Sequence, residues 1–171
     1  MNRLIGQLLE IARGLRPEAG QTLELRALLE ERARALRAAA NAAGASLRVL
    51  CSEHLSLLAA PDMLARILDN LLGNAVRHTP PGGHVAVRVR RTNEGARFEV
   101  QDTGEGIPPQ YQERIFERFF QVPGARHGGV GLGLYISREV IRAHGGEMGA
   151  TSEVGKGSTF WFTLPVTPRA D

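Results

Sequence analysis

The stretch Asn70-Leu-Leu-Gly-Asn-Ala-Val-Arg-His78 carries two patterns at once. Met63, Ile67, Leu68, Leu71, Leu72 and Val76 recur at helical spacing and predict a helix that follows Pro61 and ends before Thr79-Pro-Pro-Gly-Gly83. Asn70, Asn74, Arg77 and His78 fall at i, i+4, i+7 and i+8, on the other face of that helix. One face is therefore fit for burial. The other presents two carboxamides, a guanidinium and an imidazole. An Asn carbonyl is a hard oxygen ligand for a hydrated divalent cation, and Arg forks onto phosphate oxygens. An ordinary solvated helix face has the same composition, so the stripe alone leaves both readings open.

Downstream, His84 to Arg91 alternates Val85, Val87 and Val89 with polar residues, a half-buried strand, and residues 96–101 form its successor. Directly after comes Asp102-Thr-Gly-Glu-Gly-Ile107, a carboxylate at a strand end followed by permissive glycines. It reads equally as a tight turn or as a place where a ligand amino group is held. Residues 108–116 are expected to be helical. Ile115-Phe-Glu-Arg-Phe-Phe120 concentrates three of the six phenylalanines, with Phe116 and either Phe119 or Phe120 expected as packing anchors. Gly128-Gly-Val-Gly-Leu-Gly-Leu134 opens a helix predicted over 132–144, where free N–H groups and the helix dipole attract anions. No acidic residue of a βαβ unit and no Gly-Lys-Ser/Thr follows it, which excludes dinucleotide and Walker loops. Gly155-Lys-Gly-Ser-Thr-Phe160 joins two strands, 147–152 and 158–164. Read alone it is a glycine hairpin, with Thr159 a hydroxyl at the strand start.

Upstream, short strands are expected at 22–25, 46–51 and 55–58, with a helix over 26–43 that Gly44 stops. Leu4, Leu8, Ile11 and Leu15 mark an amphipathic helix over 1–15, and Pro17 and Gly20 make 16–21 a linker. Twelve of the 20 glycines lie between Gly104 and Gly157, so the unusual backbone demand is local. The 171 residues suit one domain with a helical appendage, and 43% hydrophobic residues exclude a mainly disordered chain. The single cysteine, Cys51, excludes an internal disulfide framework. No apolar run reaches the roughly 20 residues of a membrane span, and the start lacks a signal-cleavage pattern. A net charge of +3 is too balanced to argue nucleic acid. The basic residues Arg88, Arg90, Arg91 and Arg97 lack interleaved aromatics and are expected to guard a solvated sheet edge.

In this order and at these spacings the five stretches resemble the N, G1, F, G2 and G3 boxes of the sensor histidine kinase ATP-binding domain. That domain belongs to the superfamily of gyrase, heat-shock chaperone and mismatch-repair ATPases. The resemblance covers residues 22–165. It implies an α/β fold of the Bergerat type: a two-layer α+β sandwich whose mixed, mostly antiparallel sheet carries helices on one face. Residues 1–15 resemble the end of the second helix of the dimerisation hairpin, and 166–171 would be a tail. The resemblance further implies ATP and Mg²⁺ as ligands. Asp102 would bind the adenine amino group, and Gly104 and Gly106 would let the chain pass close to the nucleotide, beside Ile107. Asn74 would hold Mg²⁺, with Asn70 supporting the phosphate side and Arg77 near the phosphates. Gly129, Gly131, Leu132 and Gly133 would form the lid hinge and phosphate cradle. Thr159 would reach adenine through a water. The lid would span about residues 108–130 and contain Arg126.

Two departures stand out. His78 occupies a position where the family often has Tyr near adenine, and Gln121 one where it often has Arg, leaving Arg118 or Arg126 as the lid cation. None of His54, His78, His84, His127 or His144 has the context of the phosphoacceptor, which implies a fragment without it. The implied function is transfer of the γ-phosphoryl group to a histidine on a separate dimerisation domain. The implied setting is cytoplasmic, with a response regulator reached through the parent kinase, and with no nucleic acid or membrane contact by this chain. Two other readings remain: a nucleotide-sensing interaction module, and an anti-sigma-type serine kinase. Relatives of the second kind usually carry Glu where Asn70 stands.

Overall fold

The computed structural model describes residues 20–51, 54–125 and 129–165. The helix expected over 1–15, the linker to residue 19, Arg126 and the tail 166–171 lie outside the described residues.

Alternation decides the layers. In β4 (His84–Arg91) the residues Val85, Val87 and Val89 are buried; in β5 (Gly95–Asp102), Ala96, Phe98 and Val100; in β7 (Gly157–Pro165), Phe160, Phe162 and Leu164. Their polar neighbours face outward, so the sheet has one wet and one dry face. With β2 (Ser46–Leu50) and β6 (Met148–Glu153) the order is β2-β4-β5-β7-β6. Among the described residues only β2 and β4 pair in parallel. Phe98 and Phe162 sit opposite one another in the β5–β7 ladder and stack with centroids 4.5 Å apart.

Three helices share one hydrophobic core with the dry face: α1 (Leu25–Ala42), α2 (Pro61–His78) and α3 (Gly133–Ala143). α2 starts with a proline, whose missing N–H costs nothing there. Asp62 in its first turn and Arg77 and His78 in its last oppose the helix dipole. It buries Leu64, Ile67, Leu68, Leu71, Leu72 and Ala75. The buried Thr79 hydroxyl donates to the Ala75 carbonyl at 2.6 Å and closes the helix. The two-layer, mostly antiparallel architecture with helices on one face agrees with the sequence expectation.

Three details differ from it. β1 (Gln21–Glu24) and β3 (Ser56–Ala59) pair with each other in a separate two-stranded sheet. The segment after Pro108 is not a continuous helix but two 3₁₀ turns, Pro109–Tyr111 and Arg114–Phe116. The side-chain amide of Gln112, between them, donates to the carbonyls of Ile107 and Ser152 at 3.0 and 2.8 Å. Those contacts and the need to bury Ile115 and Phe116 outweigh helical propensity over so short a stretch. Arg88, Arg90 and Arg97 lie on the open face of two central strands rather than at an edge. All three approach Glu99, at 3.8, 3.7 and 2.8 Å, and Arg97 stacks on Trp161. Cross-strand register, invisible in either segment alone, converges them on that carboxylate.

Candidate functional site

The polar stripe of α2 does not face bulk water. It forms one wall of a cavity of about 440 Å³, closed opposite by residues 120–125 and 129–134. Asn70, Asn74, Arg77, His78, Asp102, Gly106, Ile107, Gly129, Gly131, Leu132 and Gly133 all line it. Four segments far apart in sequence therefore share one chamber. Arg126 lies outside the described residues.

One end is built around Asp102, the last residue of β5, which alternation turns inward with Phe98 and Val100. It is 4% exposed. Its Oδ1 accepts the N–H groups of Gly104 at 2.8 Å and Ser158 at 3.2 Å. Burial raises its pKa, opposed by those two N–H bonds and by the neighbouring His78. Oδ2 takes neither bond and is the acceptor available to a ligand. His78 Nδ1 stands 3.5 Å from Glu105 Oε1, and both residues line the chamber.

Two expectations need correction here. Thr159 is not in the lining; Ser158 is. Thr159 pairs with Gln101 on the open face, whereas Ser158 pairs with Asp102 on the buried face. A strand reverses its side every residue, so a one-residue misassignment moves a hydroxyl to the wrong face of the sheet. The inward run Phe160, Phe162, Leu164 was the available signal. Gly104 also falls outside the lining. A Cβ there would lie 2.4 Å from the His78 carbonyl oxygen, so this glycine admits a close approach of the protein to itself. Gly106 lines the chamber, yet its Cβ would meet the Glu153 carbonyl oxygen at 2.2 Å.

The other end is cationic and carboxamide-rich. Arg77 Nη2 donates to Asn74 Oδ1 at 2.7 Å. Asn70 Nδ2 donates to Ser137 Oγ of α3 at 3.0 Å. Its Oδ1 turns toward Gly133, where a Cβ would intrude at 2.3 Å. A side chain at residue 133, at the start of α3, would therefore displace the Asn70 carboxamide of α2, and the N-terminal end of the α3 dipole lies at the same end. Among the described residues no three His, Cys, Asp or Glu gather to cage a metal. The carboxamide oxygens are hard but neutral, so a cation here would draw its counter-charge from ligand phosphates. That donor set suits Mg²⁺, which keeps several waters and few protein ligands.

The phenylalanine box divides three ways. Phe116 is buried under Arg138, Phe120 lines the chamber, and Phe119 is 59% exposed with φ of 61°. The Phe119 N–H donates to the Gly131 carbonyl at 2.8 Å, which holds that conformation. Arg118 is occupied elsewhere: it stacks on Tyr135 and donates to its hydroxyl at 2.6 Å. Gln121 Nε2 donates to the Gly129 carbonyl and so links the two ends of the segment between them. We expect Gln121→Ala to accelerate proteolytic cleavage between residues 121 and 130 severalfold with little change in melting temperature. Equal cleavage rates would show that the clasp does not restrain the loop. Glu105, Ser158 and Phe120 are lining residues that motif reading did not single out for this chamber.

Residues 59–168 match the family model of histidine kinase-, DNA gyrase B-, and HSP90-like ATPases. The chain is 45% identical over 158 residues to the sensor histidine kinase AruS of Pseudomonas aeruginosa, covering 86% of this chain. It is 44% identical over 109 residues to the sensor histidine kinase WalK of Bacillus subtilis, covering 61% of this chain. It spans only 16% and 18% of the length of those two proteins. Among solved structures, full-length ShkA in complex with AMPPNP superposes with a TM-score of 0.87 at 33% identity, over 99% of this chain and 36% of ShkA. The catalytic domain of histidine kinase ThkA, nucleotide-free, gives 0.78 at 25% identity, over 89% of this chain and all of that one.

Proposed function

The chain belongs to the family of histidine kinase-, DNA gyrase B-, and HSP90-like ATPases, and from that premise we propose that it is the ATP-binding catalytic domain of a two-component sensor histidine kinase. It binds ATP with Mg²⁺ and gives the γ-phosphoryl group to a histidine on a dimerisation domain, through which a response regulator is served. The observation that carries this reading is the shared chamber, with a buried carboxylate at one end and Asn74, Arg77 and the start of α3 at the other.

Each residue has a task in that reading. Asp102 Oδ2 accepts a hydrogen from the adenine amino group. Ile107, Phe120 and Leu132 wall the base and exclude water. Arg77 and the N-terminus of α3 attract the phosphates. Asn74 would hold Mg²⁺ through its carboxamide oxygen, with Asn70 one turn earlier supporting the phosphate side; the ion would neutralise phosphate charge. Transfer forms a bond from phosphorus to an imidazole nitrogen as the bridging oxygen leaves with ADP. At the carboxamide-rich end little is placed to activate water instead: Asn70 is no base, and Asp69, whose Oδ2 accepts from Arg32 of α1 at 3.2 Å, is not in the lining. Hydrolysis by the chain alone is accordingly slow.

Titration with ATP, with and without Mg²⁺, tests the binding half. We expect saturable binding tightened by Mg²⁺, and in Asn74→Ala a loss of the metal dependence with residual binding. Absence of saturable binding would remove the proposal. Labelled ATP tests the transfer half: the chain alone remains unlabelled, and an added histidine-bearing dimerisation domain acquires an acid-labile label. One observation favours a second reading, a nucleotide-sensing module without productive transfer. Gln121 is neutral and engaged within the lid, and Arg118 is held by Tyr135. Efficient labelling of the added domain eliminates it.

A further inference from the structure

The open face of the sheet takes no part in the chamber: Arg48, Arg88, Arg90, Arg97, Glu99 and Trp161 are all absent from its lining. Register gathers these side chains. Leu50, Arg88, Glu99, Trp161 and Gly149 stand in one row across β2, β4, β5, β7 and β6. Arg90 and Arg97 stand opposite one another in the next row. Among the described residues, β2, β4 and β5 turn four arginines outward, Arg48, Arg88, Arg90 and Arg97, against one carboxylate, Glu99. That excess of positive charge equals the +3 of the whole chain. Glu147 and Glu153 lie at the other edge, beside β6, and Glu153 is paired with Lys156 at 2.6 Å.

Folding alone disfavours this arrangement. Like charges directly opposite in a ladder destabilise it, yet Arg90 faces Arg97. One carboxylate serves three guanidinium groups, those of Arg88, Arg90 and Arg97, at 3.8, 3.7 and 2.8 Å. The array is also held in place. The Glu99 side chain is only 16% exposed, and the Arg97 guanidinium lies over the Trp161 ring at 4.1 Å. Trp161 in turn lies against β6, where a Cβ at Gly149 would come within 2.6 Å of the indole. With Arg97 stacked on it, the indole leaves no free ring face for a nucleic-acid base.

Strands lie about 4.8 Å apart, and alternate residues of one strand about 6.8 Å apart, so Arg88, Arg90 and Arg97 form a triangle of those dimensions. Carboxylates one turn apart on a helix start from Cβ atoms about 5–6 Å apart, and a guanidinium takes a carboxylate through two hydrogen bonds. We propose that the β2–β4–β5 half of the open face is a docking surface for a partner protein that presents an acidic helix, its carboxylates one turn apart across Arg88, Arg90 and Arg97. This surface works independently of the nucleotide chamber.

The probe is a helical alanine-based peptide with Glu at every fourth residue, and the same peptide with Gln in those places is its control. Trp161 is the single tryptophan of the chain, so its fluorescence reads this face directly. Titration of the whole chain should give a saturable change with the Glu peptide, weakened by added salt, and none with the Gln peptide. Arg88→Gln with Arg90→Gln should weaken binding by about 10-fold or more. Arg34→Gln with Arg37→Gln removes the same charge from exposed positions of α1 and should change it less than about two-fold. A thermal melt should leave both double variants near wild type, because Arg90→Gln also relieves its repulsion with Arg97. No saturable change with the Glu peptide, or equal losses in the two double variants, overturns the proposal. So does tighter binding of a 24-base-pair DNA duplex or of phosphatidylglycerol vesicles through the same arginines, or a dimer of the chain that Arg88→Gln with Arg90→Gln dissolves. Each of these outcomes leaves the ATP-binding reading untouched.

Discussion

Asp102→Asn is expected to lower ATP affinity by about 1000-fold or more while the domain stays folded. The asparagine Oδ1 can keep the N–H groups of Gly104 and Ser158. Its Nδ2 then replaces the carboxylate oxygen that faces the chamber, and a donor meets the adenine amino group. Titration calorimetry of variant and wild type measures the loss; an affinity within a few-fold of wild type would remove Asp102 from base recognition.

The same substitution has a stability signature. Burial first, against the opposing N–H bonds and His78, holds the Asp102 carboxyl above the ordinary carboxylate range. A pKa higher in the folded than in the unfolded chain means that ionisation costs the folded state. The contribution is favourable below the unfolded value and is lost as pH rises through the folded one. At neutral pH Asp102→Asn should therefore be at least as stable as wild type, and that advantage should disappear on acidification below the usual carboxylate pKa. Melts at neutral and acidic pH compare the two. ATP affinity of wild type should also fall as pH drops through the raised pKa. The proton goes to Oδ2, since Oδ1 is held by two N–H groups, and the acceptor becomes a donor. The conflict between stability and recognition is the kind expected of a binding site.

Gly157→Ala is expected to destabilise the domain by about 3 kcal/mol or more, a fall in melting temperature of roughly 6–12 °C for a chain of this size. A Cβ at residue 157 would lie 2.0 Å from the Asp102 carbonyl oxygen and 2.8 Å from the Thr103 Cα, and its φ is +112°. Both obstacles are backbone and cannot rotate aside. Gly155, two residues earlier in the same turn, has φ of +80° and nothing within 4 Å of where a Cβ would stand, so Gly155→Ala should cost only about 1–2 kcal/mol of left-handed strain. Thermal melts of the pair separate close approach from backbone conformation. Because the obstacle is Asp102 itself, Gly157→Ala should also weaken ATP binding, whereas Gly155→Ala should not. Equal losses from the two would show that the contact with Asp102 is not what demands glycine.

Much of the fold was legible because it is written at short range. The two faces of α2 follow from residues within one turn of each other, and the dry face of β4 from alternate valines. The order of the polar and glycine-rich stretches led to a shared chamber, and Asn70, Asn74, Arg77, His78 and Asp102 do line one cavity. What escaped depends on partners far away in sequence. The choice between Ser158 and Thr159 rests on which of them stands opposite Asp102. Gly104 owes its lack of a side chain to the His78 carbonyl, and Gly133 to the Asn70 carboxamide. That Tyr135 holds Arg118, a candidate lid cation by sequence, and that Gly129 accepts from Gln121 are likewise contacts between separate segments.

The sequence by itself determined which residues share a helix face or a strand face, because backbone periodicity is local and sterically imposed. Only the tertiary structure decided which hydroxyl enters the chamber and which hydrogen bonds are already taken there. Cross-strand register and helix contact are set by packing between segments dozens of residues apart, and no local pattern encodes them.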